Sequence, residues 1–485
     1  MRLREVGDGA VLLECGNALA RSLEAWLRSA RPAGFLDAVP GAQTLLVLFD
    51  PEVFDPAVLD ERPPEIAVTP RTVTLQTVYD GPDLAALSQR LGFDAARAHV
   101  EAEHVVQFLG FAPGFAYMSG GFPVPRLSTP RVRVPRGSVA VADGYTGVYP
   151  AETPGGWWLI GRIAEELFDP YADPPSLLAP GDRVIFEPAA AAQCSSEQRS
   201  PPGRDREQRS LSAVQSEQRS RSSAPVLRVG KFAGNATVHG APRYGYARYG
   251  VPAGGAMDLA SRAAANALLG NPPLAAGLEC VLATPPLEAL ARIRVATTER
   301  VFDLNPGEIL PPQRGPLRPY LAVEGGLAEA PPGAPNPPLR EGDMLFAADQ
   351  PEAATLSRRL PPMPRLTSPL RLRVVRGPQY DWFNNPEALF ENEYRLSPQT
   401  DRRGARLDGP PLTSNRPADV PPEGTAPGAI QVPGDGKPII LGPDRPVTGG
   451  YAKIGAVVWD DLPLLAQARP GTRIQLVEAP GVCSR

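Results

Sequence analysis

Apolar and polar residues alternate along this chain at two different periods. In NALARSLEAWLRSA (17–30) the apolar positions recur three and four residues apart, which predicts an amphipathic helix. LLVLFD (45–50) is a continuous apolar run and predicts a buried strand. VTLQTVYD (73–80) alternates every second residue and predicts another strand, with a helix following over DLAALSQRLG (83–92). From there to residue 188 short extended pieces are broken by glycine and proline, the composition of a β-barrel. In the second half AMDLASRAAANALLGN (256–271) predicts a helix, rich in alanine and leucine and stopped at Gly270-Asn271. LRLRVVRGP (370–378), GAIQVPGDG (428–436) and KPIILG (437–442) return to strands and turns.

These patterns predict a mainly β protein with α/β elements. A small N-terminal α/β lobe covers about 1–66, a barrel 67–188, and a second half 225–485 divides into two β-barrel subdomains. Residues 189–224 read as a flexible linker: EQRS recurs three times in 194–224, which has almost no large apolar side chain to offset chain entropy. Both halves end alike. LLAPGDRVIFEP (177–188) and LLAQARPGTRIQLVEAP (464–480) each set a helix-like Leu-Leu-Ala and a Pro-Gly turn before an alternating strand, and REGDMLFAA (340–348) is a weaker copy. This predicts related barrel modules closed by the same final strand.

Composition narrows the picture. A chain of 485 residues suggests about three domains, and 60 prolines with 47 glycines favour short strands and turns over long helices. The formal net charge of -4 offers no field for nucleic acid or anionic membranes, and the only lysines are Lys231, Lys437 and Lys453. Cys15, Cys194, Cys280 and Cys483 stand singly, and MRLREVGDGA has no apolar signal region, so a reduced, cytoplasmic protein is expected. No run is long and apolar enough to span a membrane. Three histidines, His99, His104 and His239, argue against a histidine-based metal cluster and leave carboxylate-bound magnesium open.

Chemistry concentrates first in FLGFAPGFAYMSGGFP (108–123), five aromatic rings among four glycines and two prolines. Such a loop either walls a pocket for a small planar or anionic ligand or packs as an aromatic cover on a barrel end. The next segment, 128–162, carries Arg131, Arg133, Arg136 and Arg162 among glycine turns, which suits carboxylate or phosphate recognition or forms a solvated basic face.

HVVQFLGFAPGFAYMSG, PRVRVPRGSVAVADGYTGVYP and TPGGWWLIGR, with GDGAVLLECG near the start, resemble the allophanate hydrolase subunit 1 family, also known as the B-type subunits of 5-oxoprolinase or kinase-inhibitor-type proteins. GVPAGGAMDLASRAAANALLGN (250–271), LECVLATPPL (278–287), YLAVEGGL (320–327), TDRRGARLDG (400–409), GAIQVPGDGKPIIL (428–441) and TGGYAKIGAVVWDDLPLLAQARPG (448–471) resemble allophanate hydrolase subunit 2, the C-type subunits of 5-oxoprolinase or carboxyltransferase-like family. The resemblance implies a B and C fusion built on cyclophilin-like β-barrels. It implies an ATP-dependent 5-oxoprolinase component that opens 5-oxoproline to glutamate with a separate A-type subunit, using ATP and Mg2+. Position by position it implies His99 and Arg131 as catalytic. It implies Phe111, Pro113, Gly114, Phe115, Gly137, Ser138, Tyr145, Thr146 and Gly147 as substrate-binding in the first half. In the second half it implies Arg243, Asp258, Asn266, Glu279, Asp401, Arg402, Thr448, Gly449, Gly450 and Tyr451. The residues leave blander roles open beside these: packing for His99, helix capping for Asp258, an internal ion pair for Asp401-Arg402.

Three departures from the resemblance stand out. In TVHGAPRYG (237–245), His239 and Gly240 replace a Gln-Asp pair, so a carboxylate is lost. AEAPPGAPNPP (328–338) stands where a Ser-Arg-Ser-Thr-like segment is expected, and Arg403 replaces a methionine. Two rival functions follow from the same resemblance: a non-catalytic regulator docking on a histidine kinase, and an allophanate or urea carboxylase-related carboxyltransferase. Against the latter, the chain has no Met-Lys-Met biotin attachment site and no serine-rich amidase signature. A small carboxylate or amide is the expected substrate, and the sequence leaves homo-oligomerisation open.

Overall fold

The computed structural model describes residues 2–60, 70–190, 224–348, 358–417 and 419–480. The linker reading falls almost wholly on residues outside these.

The N-terminal lobe is a four-stranded antiparallel sheet in the order Arg2–Glu5, Ala10–Glu14, Thr44–Phe49, Phe35–Pro40. The predicted helix forms over Asn17–Ala30 and turns Ala20, Leu23 and Leu27 inward. Thr44–Phe49 shows why its sequence is apolar throughout. Leu45, Val47 and Phe49 pack under the helix, while Leu46 and Leu48 face Ala426, Ala429, Leu441 and Val447 of the second half. Alternate side chains point to opposite faces, and both faces are covered.

Two closed barrels follow the same plan. The seven strands of the first are Thr72–Val78, His104–Leu109, Ala116–Met118, Ser138–Ala142, Tyr145–Val148, Trp158–Ile163 and Arg183–Pro188. Those of the second are Leu370–Arg376, Glu393–Leu396, Gly404–Asp408, Ala429–Val432, Ile439–Leu441, Thr448–Val457 and Arg473–Glu478. Numbered in chain order within each barrel, both rings run 1-6-4-5-3-2-7 and close where strand 7 meets strand 1. That closing pair is parallel in both, and the other neighbours are antiparallel. The repeated ending is therefore the seam of each barrel. The Leu-Leu-Ala part differs: it is helical in Leu462–Gln467 but not at 177–179. Pro463 sits at the helix start, where its missing N–H costs nothing, whereas Pro180 directly follows Ala179 and excludes a continuing helix.

Residues 225–348 form no closed barrel among the described residues. A four-stranded and a five-stranded sheet share one core, Leu227, Val229 and Leu287 of the first against Val238, Leu278, Val295 and Leu321 of the second. The third copy of the ending, Met344–Phe346, lies antiparallel to Pro225–Val229 at the edge of the smaller sheet. It closes nothing.

Candidate functional site

The aromatic loop meets the second half head on. Gly110 and Phe115 pair through their backbones at 3.0 Å, Phe111 takes a left-handed φ of 64°, and its N–H donates to Thr448 Oγ1 at 3.1 Å. Gly114, also left-handed, donates to the Tyr249 carbonyl at 2.8 Å. A methyl on Gly110 would collide with Thr448 Oγ1, so only glycine permits the contact. Pro113 Cα lies against Gly250 in this same contact. The N-terminal lobe joins from a third side: Ala42 N–H donates to the Pro422 carbonyl at 2.8 Å, and Asn17 Nδ2 bridges the carbonyls of Gly41 and Gln107.

At this three-way junction the interior is charged. Lys453, on strand Thr448–Val457, is fully buried and donates to Glu423 Oε1. Gln379 donates to the same oxygen at 2.9 Å and accepts the Lys453 N–H at 2.9 Å. Gln431 Nε2 and Thr44 Oγ1, both buried, hydrogen-bond to nothing among the described residues. A methyl on Gly449 would sit 2.5 Å from that Gln431 nitrogen. Gly450 and Tyr451 continue the strand outward, Tyr451 being exposed. The structure thus joins Phe111 to Thr448, and the strand that carries Thr448 also carries groups that sequence reasoning missed: Lys453 with its partners Glu423 and Gln379, and Gln431 beside Gly449. The one available signal was a lysine inside the apolar run AKIGAVV.

A second network joins the two sheets of residues 225–348 to the second barrel. Arg402 grips Asp444 with Nε and Nη2 at 2.7 and 2.9 Å, Glu279 with Nη1 at 2.7 Å, and the Gly255 carbonyl at 2.7 Å. Glu279 also accepts from Met257 N–H and the Tyr320 hydroxyl. Burial raises the Glu279 carboxyl, but Arg402, with His239 and Arg318, outweighs it and holds the group at about 2. His239 is pulled down to about 4 by burial and by Arg402. The Asp401-Arg402 ion pair does not form. Asp401 instead caps its own turn, accepting from the N–H groups of Arg403 and Gly404. Asp258 caps helix Leu259–Ala267 through Ser261 and also accepts from Gln467 of the second barrel; its carboxyl is raised by burial. Asn266 ties the far end of that helix to the carbonyls of Pro273 and Ala275.

Two of the three departures dock on each other. Glu329 Oε1 accepts the Gly240 N–H at 2.9 Å, and Oε2 lies 2.7 Å from where a side chain at 240 would begin. Arg243 Nη1 donates to the Ala330 carbonyl, and Asn336 Nδ2 to the Val238 carbonyl. The segment replacing the expected loop therefore places a carboxylate beside the position where one was missing.

The remaining first-half residues serve packing. His99 is fully buried, with Tyr79 Oη at 2.8 Å on Nδ1 and Thr146 Oγ1 at 3.1 Å on Nε2. Burial, then His104, pull it well below 6.5, and both ring nitrogens are engaged by these two hydroxyls. Arg131 is bound to Asp83 at 2.6 Å and to the Trp157 carbonyl, Arg133 to Glu152 and Arg162 to Asp80, while Arg136 is exposed. Three of these four arginines are thus held in ion pairs. Phe108, Phe115, Tyr117, Tyr149 and Trp157 pack on one another as core, with Tyr145 edge-on to Phe108 and Tyr117. Gly147 is kept bare by the rings of Phe115 and Trp157, and Gly137 by the Ile163 carbonyl. Ser138 Oγ donates to the Pro135 carbonyl at 2.8 Å.

Comparison with known proteins agrees with the two-barrel build. Residues 1–178 match the family model "Carboxyltransferase domain, subdomain C and D" and 249–478 match "Carboxyltransferase domain, subdomain A and B". The chain is 36% identical over 211 residues to the B-type subunit of 5-oxoprolinase from Escherichia coli O157:H7, covering 39% of this chain and 96% of that protein. It is 30% identical over 291 residues to the C-type subunit of 5-oxoprolinase from Escherichia coli K12, covering 52% and 90%. It belongs to the family of 5-oxoprolinase B-type and C-type subunits, with both fused in one chain. The crystal structure of TTHA0988 superposes with a TM-score of 0.80 at 32% identity over 96% of this chain and 99% of that one. In these terms the three-way junction is where the B-type half meets the C-type half. Among the described residues no helix is long and apolar enough to cross a membrane, and no cluster of three or more histidine, cysteine or acidic residues could hold a metal.

Proposed function

We propose that this chain is the fused B and C component of an ATP-dependent 5-oxoprolinase, acting in the cytoplasm with an A-type subunit. The observation that carries the reading is that one chain spans nearly the full length of a B-type and a C-type relative in succession. Amide resonance makes a lactam carbonyl a poor electrophile. Transfer of the ATP γ-phosphoryl group to the lactam oxygen removes that protection; water then adds at the carbon, the C–N bond breaks to free the amine and leave an acyl phosphate, and a second water hydrolyses that, giving glutamate, phosphate and ADP. In this reading ATP arrives with Mg2+, and such chemistry calls for cations on the moving phosphoryl group and a sheltered site for the ring. The junction between the halves supplies shelter, with Lys453, Glu423 and Gln431 buried in it. Apart from that junction, the Glu329 carboxylate stands beside Gly240, where the resemblance calls for an acidic residue, and Arg402 is held between Glu279 and Asp444.

The test is reconstitution. Purified full-length chain mixed with a cognate A-type subunit should hydrolyse ATP only when 5-oxoproline is present, releasing glutamate in step with ADP. No 5-oxoproline-dependent turnover, with the complex formed, would remove the reading.

A further inference from the structure

Beside the Arg402 network lies a cleft that the proposed reaction leaves unused. It is walled by apolar side chains, among them Tyr244, Met257, Leu441, Trp459 and Leu465, and holds about 660 Å³ of unfilled space, part of it open to solvent. One charged residue stands in the wall. Arg445 is 3% exposed, its Nε donates to the Thr425 carbonyl at 3.0 Å, and its buried Nη1 has no partner among the described residues. The carboxylates that act on it through space are committed elsewhere, Asp37 to Arg28 and Asp444 to Arg402. Burial lowers the guanidinium to about 10, so it stays charged at neutral pH.

A buried guanidinium without a counter-ion is costly, and an apolar cleft with one such group has the make-up of a small-molecule site. The cleft walls carry five prolines besides the flat Trp459 indole, at Pro242, Pro361, Pro427, Pro443 and Pro463, which suits a compact ring more than a flexible chain. We infer that this cleft binds a small monocarboxylate with an apolar ring body, its carboxylate paired with Arg445 and its ring against Trp459 and Leu441. The site is separate from the junction of the halves, and the inference stands whether or not the chain acts on 5-oxoproline.

Full-length protein is titrated by calorimetry and ligand-observed NMR with cyclopentanecarboxylate and benzoate, and with the neutral cyclopentanecarboxamide and benzamide. At least one carboxylate should bind, and its amide should bind about tenfold more weakly or worse, as expected for loss of a charge-assisted pair. Arg445→Met should lose carboxylate binding by about tenfold or more. Leu465→Trp, filling the cleft from a half-buried position, should abolish binding and decides the question if Arg445→Met fails to fold. Equal binding of acid and amide, unchanged binding by Arg445→Met or Leu465→Trp, or no binding of either carboxylate at millimolar concentration would overturn the inference.

Discussion

Lys453 carries a full charge to a place that water does not reach, and its hydrogen-bond partner there is Glu423. Removing one member of such a pair strands the other, at a cost of about 3–5 kcal/mol, whereas removing both can be near neutral. Lys453→Met should therefore destabilise the protein by that order in urea unfolding, and Lys453→Met with Glu423→Gln should recover much of the loss. Equal destabilisation by the double variant would mean that the lysine acts through packing alone. At the second network, Glu329→Gln keeps the hydrogen bond from Gly240 but removes the charge. In the reconstituted assembly it should lower 5-oxoproline-dependent ATP hydrolysis at least tenfold, with little change in melting temperature. A variant as active as the parent would show that the carboxylate has no part in the reaction.

Among the elements, the loop Gly110–Phe115 and the strand Thr448–Val457 lock together through a single missing side chain. Gly110→Ala pushes a methyl into Thr448, so it should destabilise by about 1–3 kcal/mol, the usual cost of overpacking. Thr448→Gly in the same chain should restore a part of it, measurable as coupling in a double-mutant cycle. Much of the elements themselves was legible in the sequence. Asn17–Ala30 shows a helical period because one face is buried, and Leu370–Arg376 alternates because one side of its barrel faces solvent. The barrel endings repeat because each must leave a tight turn and pair beside strand 1. The partners were not legible. Phe111 finds Thr448 across 337 positions and Gly245 finds Asp37 across 208, choices set by how whole surfaces fit, while a periodic pattern reports only its own neighbourhood. The aromatic loop left two readings open for a related reason: composition shows rings and glycines, but only tertiary packing decides whether rings face a ligand or each other.

For the molecule as a whole, all three histidines are buried and held below 6.5. The unfolded chain takes up protons near 6.5 and the native protein does not, so native stability is fully expressed above that pH and falls as pH drops. For His239, depressed to about 4, the loss between pH 6.5 and 4 is on the order of 3 kcal/mol. Melting temperature should drop steadily from pH 7 to pH 5, and less so in His239→Gln; a flat profile would contradict neutral interior imidazoles. The two halves should also hold together without a covalent link, given the apolar contact of Val39, Leu46 and Leu48 with Ala426, Leu441 and Val447. A protease site placed between Ala190 and Ala224 and then cut should leave both fragments co-eluting, and separate elution would show the contact to be weak.

Each barrel is sealed by the last strand it makes, Arg183–Pro188 in one and Arg473–Glu478 in the other. A ribosome delivering this chain therefore completes neither cylinder until the six residues of its closing strand have emerged. Until then Thr72–Val78 and Leu370–Arg376 each show one raw edge to whatever waits at the exit tunnel. Nascent chains stalled just before Arg473 should draw chaperones far more than chains in which Arg473–Glu478 has cleared the tunnel.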